Sequence, residues 1–200
     1  MIPKSGDRFS EKIMLHQNLR LLIETNDRAF FLLGEQRERG VNETMRTYGV
    51  TPQDQALSTD GLTFLKKLID GTYPAPPIAQ TLGFELIDVE HGKATFEGLP
   101  EFRHYNPLGA VHGGFAMTLL DSCLGCCVHT TLAQGEGYTT LEVKVNLVRA
   151  ITKDTGPIRA IGRIIHRGRT TATAEGDIRD AAGNLLAHGT TTCMIFPAKK

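Results

Sequence analysis

Two hundred residues suit one domain with an extension, and they are enough to bury a core. The 22 basic and 22 acidic residues balance, so no global field favours nucleic acid or an anionic membrane surface. The polar start, Met1 to Lys12, lacks the apolar region of a signal peptide, and no run reaches about 18 consecutive apolar residues, which together predict a soluble, cytoplasmic protein.

Residues 1 to about 57 read as helical. The stretch EKIMLHQNLRLLIETNDRAFFLL spaces Ile13, Leu15, Leu19, Leu22, Ile23 and Phe30 near a 3.6-residue period, with Gly34 as a stop, and a weaker helix covers residues 41–48. The segment TPQDQALSTDG reads as a linker. From Met1 to Asp60 there are eight basic and nine acidic residues, a balance that opposes a DNA-binding arm. The expected organisation is a helical extension over residues 1–60, packed on the domain or on a partner subunit, and a main domain over 61–200.

The main domain opens with a short amphipathic helix, Leu62 to Ile69, ended at Gly71, and Pro74, Pro76 and Pro77 then impose an extended connection. FELIDVEHGKATFEGL predicts a hairpin that turns at His91, Gly92 and Lys93. Further on, LEVKVNLV alternates Leu141, Val143, Val145 and Leu147 with polar residues, as a half-buried strand does. Strands are also expected over Ile158 to Ile165, Thr170 to Ile178 and Leu185 to Phe196, the last after a turn at Asp180 to Asn184. Several long strands around one very apolar helix define an α+β domain in which an antiparallel sheet wraps that helix.

That helix is the centre of the chain. In NPLGAVHGGFAMTLLDSCLGCCVHTT, residues Phe115 to Leu132 form an apolar run bracketed by glycines, with one carboxylate, Asp121, in its middle. A charge in such a setting lies at the solvent boundary of the helix, is paired, or is used. Gly113, at the helix start, offers a backbone N–H at the positive end of the helix dipole. Eight residues of helix separate Gly113 from Asp121, a rise of about 12 Å and a rotation of roughly 80°. One substrate carbonyl cannot touch both groups of a single helix. If they act together, two antiparallel copies must meet across a twofold axis, with the site between subunits. Cys123 and Cys127 share a helical face near His129, but no second ligand pair with zinc-like spacing accompanies them, and no metal is expected.

Asn106, His112, Gly113 and Asp121 at this spacing, followed by TTLEVKVNLVRA and HRGRTTATAEGDIRDAAGNLLAHGTTTC, resemble the PaaI-type hot-dog-fold acyl-CoA thioesterases. The resemblance runs from about Leu62 to Phe196. It implies a hot-dog fold, a long central helix wrapped by a curved antiparallel sheet, in homodimers that often pair into tetramers, with an acyl-CoA substrate and no cofactor. It implies further that Asp121 activates water or attacks the thioester, that the Gly113 N–H binds the oxyanion beside Gly114, and that Asn106 and His112 shape this loop or contact the thioester. Thr140, with Thr139 as the alternative, would position water. Arg149, Arg167, Gly168 and Arg169 match nucleotide and pyrophosphate positions, and Leu82, Phe84, Phe102, Tyr105, Pro107 and Met117 the acyl pocket. Hot-dog dehydratases place a His five residues after Asp, or a Glu fourteen after His; Cys126 occupies both positions here. The competing reading is a non-catalytic acyl-CoA sensor, which the extension suggests and which its neutral charge and Asp121 oppose.

Overall fold

The computed structural model describes residues 46–198, so the helix expected over residues 11–33 lies outside the described part. Of the helix expected over residues 41–48, only the last three residues are described. They are not helical, because Tyr48 bridges to Ala75 in parallel fashion. The expected linker contains one helical turn, α1 (Gln53–Ala56). Helix α2 (Gly61–Ile69) begins at Asp60, whose side chain accepts the Thr63 N–H at 2.9 Å. Such a cap contributes about 1 kcal/mol. The proline-rich connection is not wholly extended: Pro77 opens a short helix, α3 (Pro77–Leu82), where the missing proline N–H costs nothing.

Six strands follow: β1 (Phe84–Glu90), β2 (Lys93–Gly98), β3 (Glu136–Leu147), β4 (Ile158–Arg167), β5 (Thr171–Asp180) and β6 (Leu185–Pro197). They form one sheet in the order β1-β2-β4-β5-β6-β3, antiparallel throughout, with β1 and β3 at its edges. The long helix α4 (Gly113–His129) lies between β2 and β3 in the chain and packs across the sheet. Leu119, Leu120, Cys123, Leu124, Cys127 and Val128 on α4 have no exposed surface. Each fully buried leucine is worth roughly 2 kcal/mol, which makes this helix the core of the domain. Gly162 and Gly176, paired across β4 and β5, let α4 approach the sheet. A Cβ on Gly162 would lie 2.8 Å from Cys127 Sγ, and one on Gly176 3.0 Å from Leu124 Cδ2.

At the far end of α4, His129 stacks on Phe64 of α2, ring centroids 5.1 Å apart, and tilts against Tyr138 of β3 at 5.4 Å. Burial pulls its pKa down from 6.5 to about 4. The unfolded chain therefore takes up a proton at higher pH than the folded one, and stability is lost as pH falls from about 6.5 towards about 4, by at most about 3 kcal/mol. Urea denaturation of wild type and His129→Gln at both pH values is expected to show a smaller acid loss in the variant. Equal losses would assign the effect to other groups.

Candidate active site

The loop before α4 is tied down residue by residue. Asn106 donates its N–H to the Ala110 carbonyl at 2.8 Å, and its Oδ1 accepts the N–H groups of Leu108 at 2.8 Å and Ala110 at 3.4 Å. The Asn106 amide nitrogen has no acceptor among the described residues. Tyr105 accepts the Lys153 N–H on its hydroxyl at 2.8 Å, and Val111 donates to the Ile151 carbonyl at 2.9 Å, which pins the loop to the segment after β3.

His112 caps α4. Its Nδ1 accepts the Gly114 N–H at 2.9 Å, so in the neutral ring the proton is on Nε2. Gly114 is thereby used inside the protein. The Gly113 N–H, by contrast, meets no acceptor among the described residues and stands at the positive end of a 17-residue helix. A Cβ on Gly113 would lie 2.6 Å from Leu147 Cδ1, so the first turn of α4 rests on the last residue of β3.

Two turns along α4, Asp121 is half-buried and its Oδ1 accepts the Thr140 hydroxyl proton at 3.1 Å. No donor meets its Oδ2 among the described residues. Thr140 donates its hydroxyl hydrogen bond to Asp121 and also stands 4.0 Å from Cys193 Sγ. Thr139 is exposed and is not brought to Asp121. A β-bulge between Thr140 and Glu142 decides this: Leu141 is extra in the β3–β6 register. The bulge allows Thr140 and Val143, three residues apart, both to turn towards α4, which strict alternation forbids. It also leaves Leu141 exposed, against the expectation of an inward position, and Leu147 at the strand end is exposed as well.

The cysteines around Asp121 are poor nucleophiles. Burial, then Cys127, then Asp121 raise the Cys126 thiol well above its usual range, and burial raises Cys193 and Cys123 too. A thiol must ionise to attack or to ligate, and burial opposes that here. No cluster of three or more His, Cys, Asp or Glu side chains arranged to hold a metal occurs among the described residues.

The arginines do not form one patch in a single chain. Arg167 donates to Glu136 Oε2 at 2.8 Å and also to the Gly168 carbonyl, which fastens the β4–β5 turn to the start of β3. Gly168 donates to the Thr171 carbonyl at 2.8 Å, and Arg169 is exposed beside it. Arg149 lies past the other end of β3, and the eleven steps along its twelve residues put the two ends roughly 36 Å apart. The acyl-pocket candidates also divide. Phe84 is a core residue, 1% exposed, whereas Phe102 and Met117 are open to solvent.

Residues 108–187 match the Thioesterase superfamily. Among curated proteins, the chain is 28% identical over 123 residues to the 1,4-dihydroxy-2-naphthoyl-CoA hydrolase of Listeria monocytogenes serotype 1/2a (strain 10403S), a match over 62% of this chain and 97% of that one. Among solved structures, a phenylacetic acid degradation-related protein of Ralstonia eutropha JMP134 superposes with a TM-score of 0.60 at 29% identity, covering 65% of this chain and 98% of its own. A mutant form of the phenylacetic acid degradation protein PaaI of Thermus thermophilus superposes at 0.53 and 25%, covering 59% and 97%. The described domain has the hot-dog fold, its residues 108–187 are similar to the Thioesterase superfamily, and PaaI-type proteins are among its structural neighbours. These relatives support a thioester hydrolase.

Proposed function

We propose that the protein hydrolyses acyl-CoA thioesters to the free acid and coenzyme A. The observation that carries the reading is the division of labour along α4: a Gly113 N–H without an acceptor at its start, and a carboxylate held by Thr140 two turns later. The Gly113 N–H stabilises the charge that develops on the thioester oxygen. Water bound between the Thr140 oxygen and Asp121 Oδ2 loses its proton to the carboxylate as it attacks the carbonyl carbon, or Asp121 attacks directly and water then cleaves the anhydride. The thiolate of coenzyme A leaves, and its low proton affinity makes a strong general acid unnecessary. The Asn106 amide and the His112 Nε2–H serve as further donors to the thioester.

About 12 Å separate the two halves of this machinery in one chain, so the working site needs two chains. Strand β3 is a twelve-residue sheet edge with Leu141 and Leu147 exposed, and such an edge invites pairing with another strand. Antiparallel pairing of two β3 strands about a twofold axis near Val143 sets Thr140 of one chain opposite Asn146 of the other, one residue from the Leu147 on which Gly113 rests. The same register brings Arg149 of one chain to the Glu136 end of the other, where Arg167 and Arg169 form a cationic rim for the coenzyme A phosphates. The substrate and pathway for which these relatives are named, a naphthoyl-CoA and phenylacetic acid degradation, favour an aryl acyl group over a long aliphatic one.

Chromatographic detection of released coenzyme A across short, medium, long and aryl acyl-CoA thioesters tests the activity. Turnover of at least one member, fastest among the aryl thioesters, is expected. Binding of several members with cleavage of none would replace the hydrolase by an acyl-CoA-binding module.

A further inference from the structure

Beside this machinery lies a buried side chain that the thioester chemistry does not use. His104 is 7% exposed, and its ring stacks on Phe115 in the first turn of α4, centroids 4.5 Å apart and planes inclined by 25°. Its Nδ1 accepts the Glu101 N–H at 3.0 Å, which puts the proton of the neutral ring on Nε2. Among the described residues Nε2 has no hydrogen-bond partner. Burial, and next the charge of Arg103, hold the ring's pKa below its ordinary value, with Glu101 opposing. Finally, the His104 carbonyl accepts the His112 N–H at 2.7 Å.

A buried donor without an acceptor is destabilising, so an apolar ring would pack on Phe115 at less cost. What histidine supplies and phenylalanine cannot is the Nδ1 acceptor that closes the Phe102–His104 turn on Glu101. That turn ends on the carbonyl that holds His112, and His112 is the residue directly before the Gly113 N–H. The geometry points to His104 as a positioning residue for thioester hydrolysis: seated under the first turn of α4, it aims the Gly113 N–H by fixing His112 through its carbonyl and Phe115 through its ring. The inference rests on the hydrolase reading, and its magnitude follows from the precision that an oxyanion donor requires, since a displacement of about 1 Å costs on the order of 10²-fold in rate.

Two substitutions in the full chain separate the two contributions. His104→Phe keeps a ring on Phe115 and removes the acceptor; His104→Asn keeps an acceptor near the Nδ1 position and removes the ring. The measurements are kcat and KM on the best acyl-CoA thioester of the panel, and amide hydrogen exchange at His112 and Gly114, whose N–H groups are hydrogen-bonded, without substrate. In the Phe variant kcat is expected to fall roughly 10- to 100-fold with KM within about threefold of wild type, and His112 exchange to rise by more than about tenfold. The Asn variant is expected to recover several-fold of the lost kcat. Retention of kcat within about twofold in both variants overturns the inference, and so does a loss that tracks uniformly raised exchange through the sheet. If the wild type cleaves no thioester, exchange raised only at His112 and Gly114 still supports the positioning role while the hydrolase reading falls, and unchanged exchange overturns the role itself.

Discussion

Asp121→Asn is expected to lower kcat by roughly 10²- to 10⁴-fold, with KM little changed, in steady-state hydrolysis of the preferred acyl-CoA thioester. The substitution is close to isosteric. The Asn side-chain oxygen can still accept the Thr140 hydroxyl proton, so the α4–β3 contact and the fold survive, while the amide nitrogen that replaces Oδ2 can neither take a proton from water nor attack a carbonyl. Unaltered turnover would remove Asp121 from the chemistry and return it to the other reading of its position, a carboxylate at the boundary between helix and solvent. A loss of folded protein comparable to the loss of rate would say that the carboxylate serves the α4–β3 contact alone.

Residue pattern made some of this site legible before any coordinates, and physical context withheld the rest. The apolar run around Asp121 announced a buried helix because nothing but burial accounts for Leu119, Leu120, Cys123, Leu124, Cys127 and Val128 at helical spacing. The choice between Thr139 and Thr140 was not legible. It depends on a bulge at Leu141, and bulges are set by how two strands meet, here β3 on β6, not by either strand's own residues. For the same reason Leu141, inward by alternation, is outward in fact, whereas Leu147 keeps the inward register, touches the first turn of α4 and is exposed at the strand end. Phe84 and Phe102 look alike in the sequence, yet one is core and the other solvent-facing, because residue type reports a tendency to be buried and not which cavity is filled. The helix at Pro77 was hidden by its prolines: Pro74 and Pro76 extend the chain, whereas Pro77 stands at the one helical position where proline is favoured. His104 carried no signal beyond lying two residues before Asn106, since its use depends on a carbonyl and a stacked ring that only the folded loop brings together.

Gly113→Pro is expected to cost roughly 10²- to 10³-fold in kcat, the usual share of one oxyanion donor, without breaking the helix. Proline deletes the N–H and nothing else in the backbone ladder, because the first helical residue has no intrahelical acceptor. His112 before it already has φ −60° and ψ 134°, the extended conformation that a residue preceding proline requires. The proline ring would crowd Leu147, so the substitution is paired with Leu147→Ala, and Leu147→Ala alone is the control. The larger effect comes from mixing. A chain carrying Asp121→Asn keeps its Gly113 N–H, and a chain carrying Gly113→Pro keeps its Asp121. If each site takes the N–H from one chain and the carboxylate from the other, every mixed dimer holds one site with both groups intact and one with neither. Half the dimers are mixed after random exchange, so activity should rise from near zero in either variant alone to about a quarter of the wild-type value. A mixture no more active than its components would show that both groups of a working site belong to the same chain, and would overturn the pairing of two β3 edges near Val143.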